Sequence, residues 1–217
     1  MHRTEILKVL VGSQAHGLAD KDSDYDYRGV YVDPTSKILS LNYQYKGTSW
    51  CEGKEDNTSY EIGHFLHLAT HCNPSILEVF KAPIIFSNDY GKKLIELFNY
   101  TWNPENVFKA FTGYSDNQKK KMLDKKDKRQ EKFAVAYVRT LINLISLLRD
   151  KTFNLKVSDV YKVNLLQIRN GEWSFGTVID WAEELTKLAE KHLEKCKQKS
   201  DIPKVNDFLL QTRREYW

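Results

Sequence analysis

Asp24 and Asp26 stand two positions apart in the run Ser23-Asp24-Tyr25-Asp26. Residues at that spacing on an extended strand point to the same side. Two carboxylates then lie together with Tyr25 turned away. Like charges that close require a cation between them or a proton on one of them, and hard oxygen donors suit Mg²⁺ or Mn²⁺. Upstream, Gly12-Ser13 is a small-residue turn whose backbone N–H groups can approach an anion such as a phosphate. A phosphate cradle beside a two-carboxylate metal site is the apparatus of phosphoryl or nucleotidyl transfer. Either feature alone is an ordinary solvated turn; the reading rests on their order within Gly12 to Val32.

The flanking segments have to position these groups. The apolar run Ile6 to Val11 (ILKVLV) predicts a strand that delivers Gly12, and Asp24 to Val32 predicts a second strand. Asp33-Pro34 ends the second strand, because proline cannot continue a central ladder. Leu41 to Tyr45 and Thr48 to Cys51 read as weak strands, and Glu55-Asp56-Asn57 as a turn. A short strand or helix start at Thr58 to Ile62 leads into a helix over His64 to His71. Asn73-Pro74 breaks that helix, and Ile84 to Phe86 is a short buried strand. From Asp89 onward the pattern is helical. Phe133 to Leu148 is apolar on most faces and predicts a central helix. Helices are also expected over Val157 to Ile168 and Phe175 to Lys197, with a short one from Pro203 to Trp217. Strands first and helices afterwards predict an α/β (α+β) architecture. A small mixed-sheet core over residues 1–100 is flanked by helices and followed by a helical C-terminal region, 101–217, packed on it. The boundary falls within 88–104.

Gly12-Ser13, Gly17 and Ser23-Asp24-x-Asp26 resemble the core motif of the DNA polymerase beta nucleotidyltransferase superfamily. The following Arg28-Gly29 resembles one branch of it, the predicted nucleotidyltransferases of bacterial and phage genomes, some of them linked to RNA repair. Glu61 to Phe80 (EIGHFLHLATHCNPSILEVF) is similar to that branch's second block: an acidic residue before a helix, then Asn73-Pro74, then Glu78. The resemblance implies transfer of a nucleoside monophosphate from an NTP to a hydroxyl, with release of pyrophosphate and two Mg²⁺ or Mn²⁺ ions. It implies Asp24, Asp26 and Glu61 as catalytic metal ligands, with Asp56 and Glu55 as rivals for the third place. Gly12 and Ser13 are expected to hold the triphosphate. Arg28 falls on the carboxylate face and could pair with a phosphate or with the carboxylates. Lys132 and Arg139, seven apart at the central helix, are candidate triphosphate cations, as the helical halves of such enzymes often lend one. Tyr114, Gln118 and Lys119 follow at helix spacing. His16 reads as a surface loop histidine.

Partners follow from charge. The chain carries 33 Lys and Arg against 29 Asp and Glu, a net charge of +4 with pI about 8.7. The Lys119–Lys132 segment is densely basic and could follow an RNA or tRNA backbone, or be a solvated surface. Acceptors other than RNA, a protein hydroxyl or a small molecule, remain open, as does a catalytically silent nucleic-acid-binding module of the same fold. His64, His67 and His71 share a helix face but carry no metalloprotease glutamate pattern, and the apolar residues among them read as core. Three scattered cysteines argue against a disulfide scaffold. No signal peptide or spanning run is expected, which points to the cytoplasm.

Overall fold

The computed structural model describes residues 3–44, 46–51 and 55–217, and the side chains of residues 49–51, 55 and 56 lie outside that description. In chain order the elements are β1 (Thr4–Val11), α1 (Gly12–His16), β2 (Tyr25–Val32), α2 (Thr35–Ile38), β3 (Thr48–Cys51), β4 (Glu55–Glu61), α3 (Ile62–Thr70), α4 (Pro74–Val79), β5 (Ile84–Ser87), α5 (Asp89–Glu96), α6 (Phe98–Thr101), α7 (Pro104–Leu123), α8 (Gln130–Asp150), α9 (Asp159–Arg169), α10 (Phe175–Leu193) and α11 (Ile202–Glu215). The chain divides into two units. One comprises residues 1–71, 75–102 and 199–217; the other comprises residues 72–74 and 103–198.

The first unit is built on a five-stranded mixed sheet in the order β3-β4-β2-β1-β5. Only β2 and β4 run parallel; β1 pairs antiparallel with both β2 and β5, and β3 with β4. Glu55 to Asn57, expected as a turn, instead opens β4, because each pairs with a residue of β2. Leu41-Asn42, expected within a strand, form a turn, and Tyr45 lies outside the described residues.

Val9, Val11, Val30 and Val32 are buried, as are Ile62, Phe65, Leu66 and Ala69 of α3. Aromatic rings extend this core from Phe65 to Phe80 (centroids 5.3 Å apart), then to Phe98 (5.8 Å) and Trp102 (6.5 Å).

Residues 199–217 return to this unit and are tied to it at several points. Asp201 N–H donates to Tyr100 O at 2.8 Å, and Lys204 Nζ stands 3.8 Å above the Tyr100 ring. Thr35 N–H donates to Tyr216 O at 2.7 Å, and its hydroxyl donates to Arg213 O. Arg213 Nη1 and Nη2 donate to Glu61 Oε1 and Oε2 at 2.6 and 2.8 Å. Glu61 is fully buried, and its Oε2 also accepts from Gly63 N–H, capping α3. A bidentate pair with an extra backbone donor is the arrangement in which a buried carboxylate is satisfied.

The second unit is helical. Asn103 and Ser174 cap α7 and α10, accepting from the N–H groups of Asn106 and Thr177. The central helix predicted at Phe133 is α8, longer at both ends than its apolar run. Among the described residues, no helix is long and apolar enough to cross a membrane.

The Glu61–Arg213 pair carries a prediction. Arg213→Met strands a buried carboxylate, and we expect a loss of about 3–5 kcal/mol. The double replacement Glu61→Leu/Arg213→Met should recover much of that loss, as read from urea midpoints.

Candidate active site

The loop from β1 to β2 is short and internally bonded. Gly12 begins α1 directly at the end of β1, with φ at +71°, and Gly17 ends it at φ +70°. Both sit in the left-handed region that favours glycine. Leu18 N–H donates back to Ser13 O at 3.0 Å. Beyond it, the Asp20 carboxylate accepts from Ser23 Oγ (2.7 Å) and from Asp22 N–H (3.1 Å). Gln14 Nε2 reaches across the loop to Ser23 O at 3.2 Å. Ser23 immediately precedes Asp24, so Gln14 fixes the point at which the chain turns into β2. Nothing in the residue types marked Gln14 for this; its role comes from the loop's closure.

Val11 pairs with Asp26 in the β1–β2 ladder, which places Asp26 beside the start of α1. The approach is close: a Cβ on Gly12 would fall on Asp26 Oδ2. Position 12 therefore requires glycine twice over, for its backbone angle and for the space the carboxylate fills. Asp24 is exposed, one residue before β2, and Asp26 is partly buried within it.

Alternation puts Asp26, Arg28, Val30 and Val32 on one face of β2. Arg28 is partly buried, and its Nη1 donates to Tyr27 O at 3.3 Å. It also acts on Tyr60: burial pushes that hydroxyl's pKa up, and the Arg28 charge pulls against the rise.

The β2–β4 register separates the candidates for a third carboxylate. Asp26 pairs with Asp56, whereas Glu61 pairs with Tyr31. Asp56 is thus level with Asp26 in the ladder, next to it across the two strands. Glu61 is five residues further along β4, roughly 16 Å at strand rise, and an odd step puts it on the opposite face. Its carboxylate is already committed to Arg213 and Gly63. The structure thus sets Asp26 against Gly12, with Asp24 and Arg28 two positions to either side of it in the chain, and ties the Glu61 carboxylate to Arg213 and Gly63. Sequence reading missed Arg213, which lies 152 positions from Glu61 with no local signal.

The remaining candidates lie on other elements. Lys132 is exposed and Arg139 buried on α8, in the second unit. The Lys119–Lys132 segment is the last turn of α7, a bonded turn and the start of α8, with much of its charge engaged. Arg129 pairs with Asp127 at 3.0 Å, Lys119 lies 4.0 Å from Glu183, and Lys121 and Arg129 both stack on the Phe133 ring. Gln118 is buried. His16 is not a surface residue. It is buried on α1, and its Nε2 lies 3.2 Å from Glu78 Oε1. The rings of His67 and His71 pack 4.3 Å apart, and His71 Nδ1 bonds to His67 O. No group of three His, Cys, Asp or Glu that could hold a metal is found among the described residues, which leave out the Asp56 side chain. Asp24 and Asp26 offer hard carboxylate oxygens, donor chemistry that fits Mg²⁺ or Mn²⁺.

A family model described as "RNA repair pathway DNA polymerase beta family" matches residues 2–212. Among solved structures, a nucleotidyltransferase-like protein from Exiguobacterium sibiricum is similar at 9% identity and a TM-score of 0.31, covering 97% of this chain and 74% of that one. No curated protein matches.

Gly12→Ala and Gly17→Ala should separate the two requirements on glycine. Both force a side chain to positive φ and should cost about 1–2 kcal/mol in urea unfolding. Only Gly12→Ala should also displace the Asp26 carboxylate, visible in a crystal structure of the variant.

Proposed function

The chain belongs to the RNA repair pathway DNA polymerase beta family, and from that premise we propose that it transfers a nucleoside monophosphate from an NTP to a hydroxyl of RNA. The oxygen–phosphorus bond to the acceptor forms at the α-phosphorus, the bond to the bridging oxygen breaks, pyrophosphate leaves, and the hydroxyl proton passes to solvent. The observation that carries the reading is the Asp26 carboxylate set against the Gly12 backbone and in register with Asp56. The Asp26 carboxylate thereby lies beside the start of α1, and Asp56 is its neighbour in the ladder.

Asp24, Asp26 and Asp56 would hold Mg²⁺ or Mn²⁺, which when bound supplies charge neutralisation at the transferring phosphate. The N–H groups of Gly12 and Ser13, with the Ser13 hydroxyl, hold triphosphate oxygens. Arg28, on the same face as Asp26, offsets the negative charge gathered there. Gln14 and the Asp20–Ser23 turn keep Asp24 at the head of β2. RNA is favoured as acceptor by the family's description and by the chain's basic balance. Glu61 is assigned to holding the C-terminal helix rather than a metal, because its two oxygens are taken by Arg213 and Gly63.

Each labelled NTP, with Mg²⁺ or Mn²⁺ and total RNA, tests the reading through label transfer and pyrophosphate release. Asp26→Asn and Asp56→Asn should each lower transfer by about 10²–10³-fold or more, the scale of losing one transition-state contact. Glu61→Gln should lose stability while its folded fraction keeps activity within about tenfold. A severe Glu61→Gln beside an active Asp56→Asn would return the third place to Glu61. Absence of any NTP-dependent label transfer would remove the reading.

A further inference from the structure

Glu78 is an acid in an apolar stretch. Its neighbours Ile76, Leu77, Val79 and Phe80 are all buried in the first unit, and its own side chain is only 12% exposed. An acid held that far from water costs free energy unless a polar group meets it. The group that meets it is His16, whose Nε2 lies 3.2 Å from Glu78 Oε1 and whose side chain is 10% exposed. His16 is the last residue of α1, and Glu78 belongs to α4. The helix α1 is barely more than one turn. It spans five residues, starts on Gly12 and is capped by Gly17, both at positive φ. So short a helix holds little structure of its own, and its place is set by what its side chains grip. Gln14 grips Ser23 O, just ahead of β2. His16 grips α4.

We propose that His16 and Glu78 are positioning residues for the triphosphate, an inference that rests on the reading of Gly12 and Ser13 as its cradle. The pair is set away from solvent and acts through the backbone. Ser13 stands three residues before His16 and Gly12 four, about one helical turn. A shift of the His16 end therefore moves the N–H groups at the Gly12 end. At Gly12 the Asp26 carboxylate leaves no slack, since a Cβ there would fall on its Oδ2. The His16 end is the one at which the cradle can tilt, and Glu78 is the fixed point that stops it. Glu78 is fixed because the chain around it is packed: Phe80 meets Phe65 and Phe98, with centroids 5.3 and 5.8 Å apart. A pair kept only to fill the core is the rival reading. Apolar residues of like volume fill a core at least as stably as a buried ion pair. What the pair adds is one specific partner for the imidazole, and hence one orientation for α1.

The test is calorimetric titration of inorganic tripolyphosphate with Mg²⁺ onto the full chain, beside urea midpoints of the same variants. His16→Leu should lower the midpoint, because it strands the Glu78 carboxylate, and should weaken tripolyphosphate about tenfold, the scale of one lost hydrogen bond. His16→Leu/Glu78→Leu leaves no polar group unmatched, so it should regain the midpoint while tripolyphosphate stays about tenfold weaker. It also keeps the test decisive if the single variant fails to fold. A double variant that regains the affinity along with the midpoint overturns the positioning role and leaves the pair to packing. In transfer of label from NTP to RNA, the double variant should raise the NTP KM about tenfold and keep kcat within about threefold, since the cradle holds the triphosphate alike before and in the transition state. A fall in kcat at unchanged KM overturns the role as well. The outcomes separate this inference from the reading beneath it. Transfer by the wild type with KM unchanged in the double variant removes the positioning role alone. Tripolyphosphate held through the pair, without transfer, upholds the positioning role and removes the nucleotidyltransferase reading. A wild type that binds no tripolyphosphate removes the cradle, and the positioning role with it.

Discussion

The carboxylate of Asp26 occupies the space that a side chain at position 12 would need. Much else in the first unit follows from that contact. It requires β1 and β2 to be in the register that pairs Val11 with Asp26. It requires the chain to turn into α1 at positive φ without an intervening residue. It sets a carboxylate beside N–H groups able to hold a phosphate, and those two anions repel each other unless a cation joins them. The connecting loop then has to close over a fixed distance, which Gln14 and the Asp20–Ser23 turn achieve through their hydrogen bonds.

The strands carry two kinds of information. On one face of β2, the alternation Asp26, Arg28, Val30, Val32 runs from a polar end into the buried core. On the other face, Tyr25, Tyr27 and Tyr31 run from an exposed ring to one almost wholly buried. The same eight residues thus pass from chemistry to packing along their length. Glu61 lies at the packing end. There its charge is neutralised by Arg213 and its second oxygen caps a helix. An acidic residue at that point is consistent with a structural ion pair and does not need a metal to explain it.

Short-range features were legible in the sequence. The β1 strand, the second strand from Tyr25 and the long apolar helix all announce themselves by spacing and by local residue type, whereas Gly12-Ser13, read as a turn, opens a helix and Asp24 falls just outside the strand. What escaped were matters of register and return. Glu55-Asp56-Asn57 has turn-like composition, and its strand state comes from pairing with β2, a tertiary effect that overrides propensity. With those residues read as a turn, the pairing of Asp56 with Asp26 could not be seen. His16 looked like a loop residue because the helix that buries it is only five residues long. Arg213 gave no signal, since its partner lies far away in sequence.

The return of residues 199–217 has a kinetic consequence. The helices α7 to α10 form a contiguous stretch whose contacts are local, the kind of topology that assembles quickly. The sheet unit is discontinuous. A chain synthesised from its N-terminus completes all five strands, and then the whole of the helical unit, before Arg213 exists to meet Glu61. Through that interval Glu61 lacks the guanidinium that Arg213 brings, and Thr35 and Tyr100 lack their partners in residues 199–217. The short helix α1 and the strand that carries Asp26 are thus translated early, in a unit that is completed late. The first unit is finished only when α11 docks, in a closing step whose loop spans more than half of the chain.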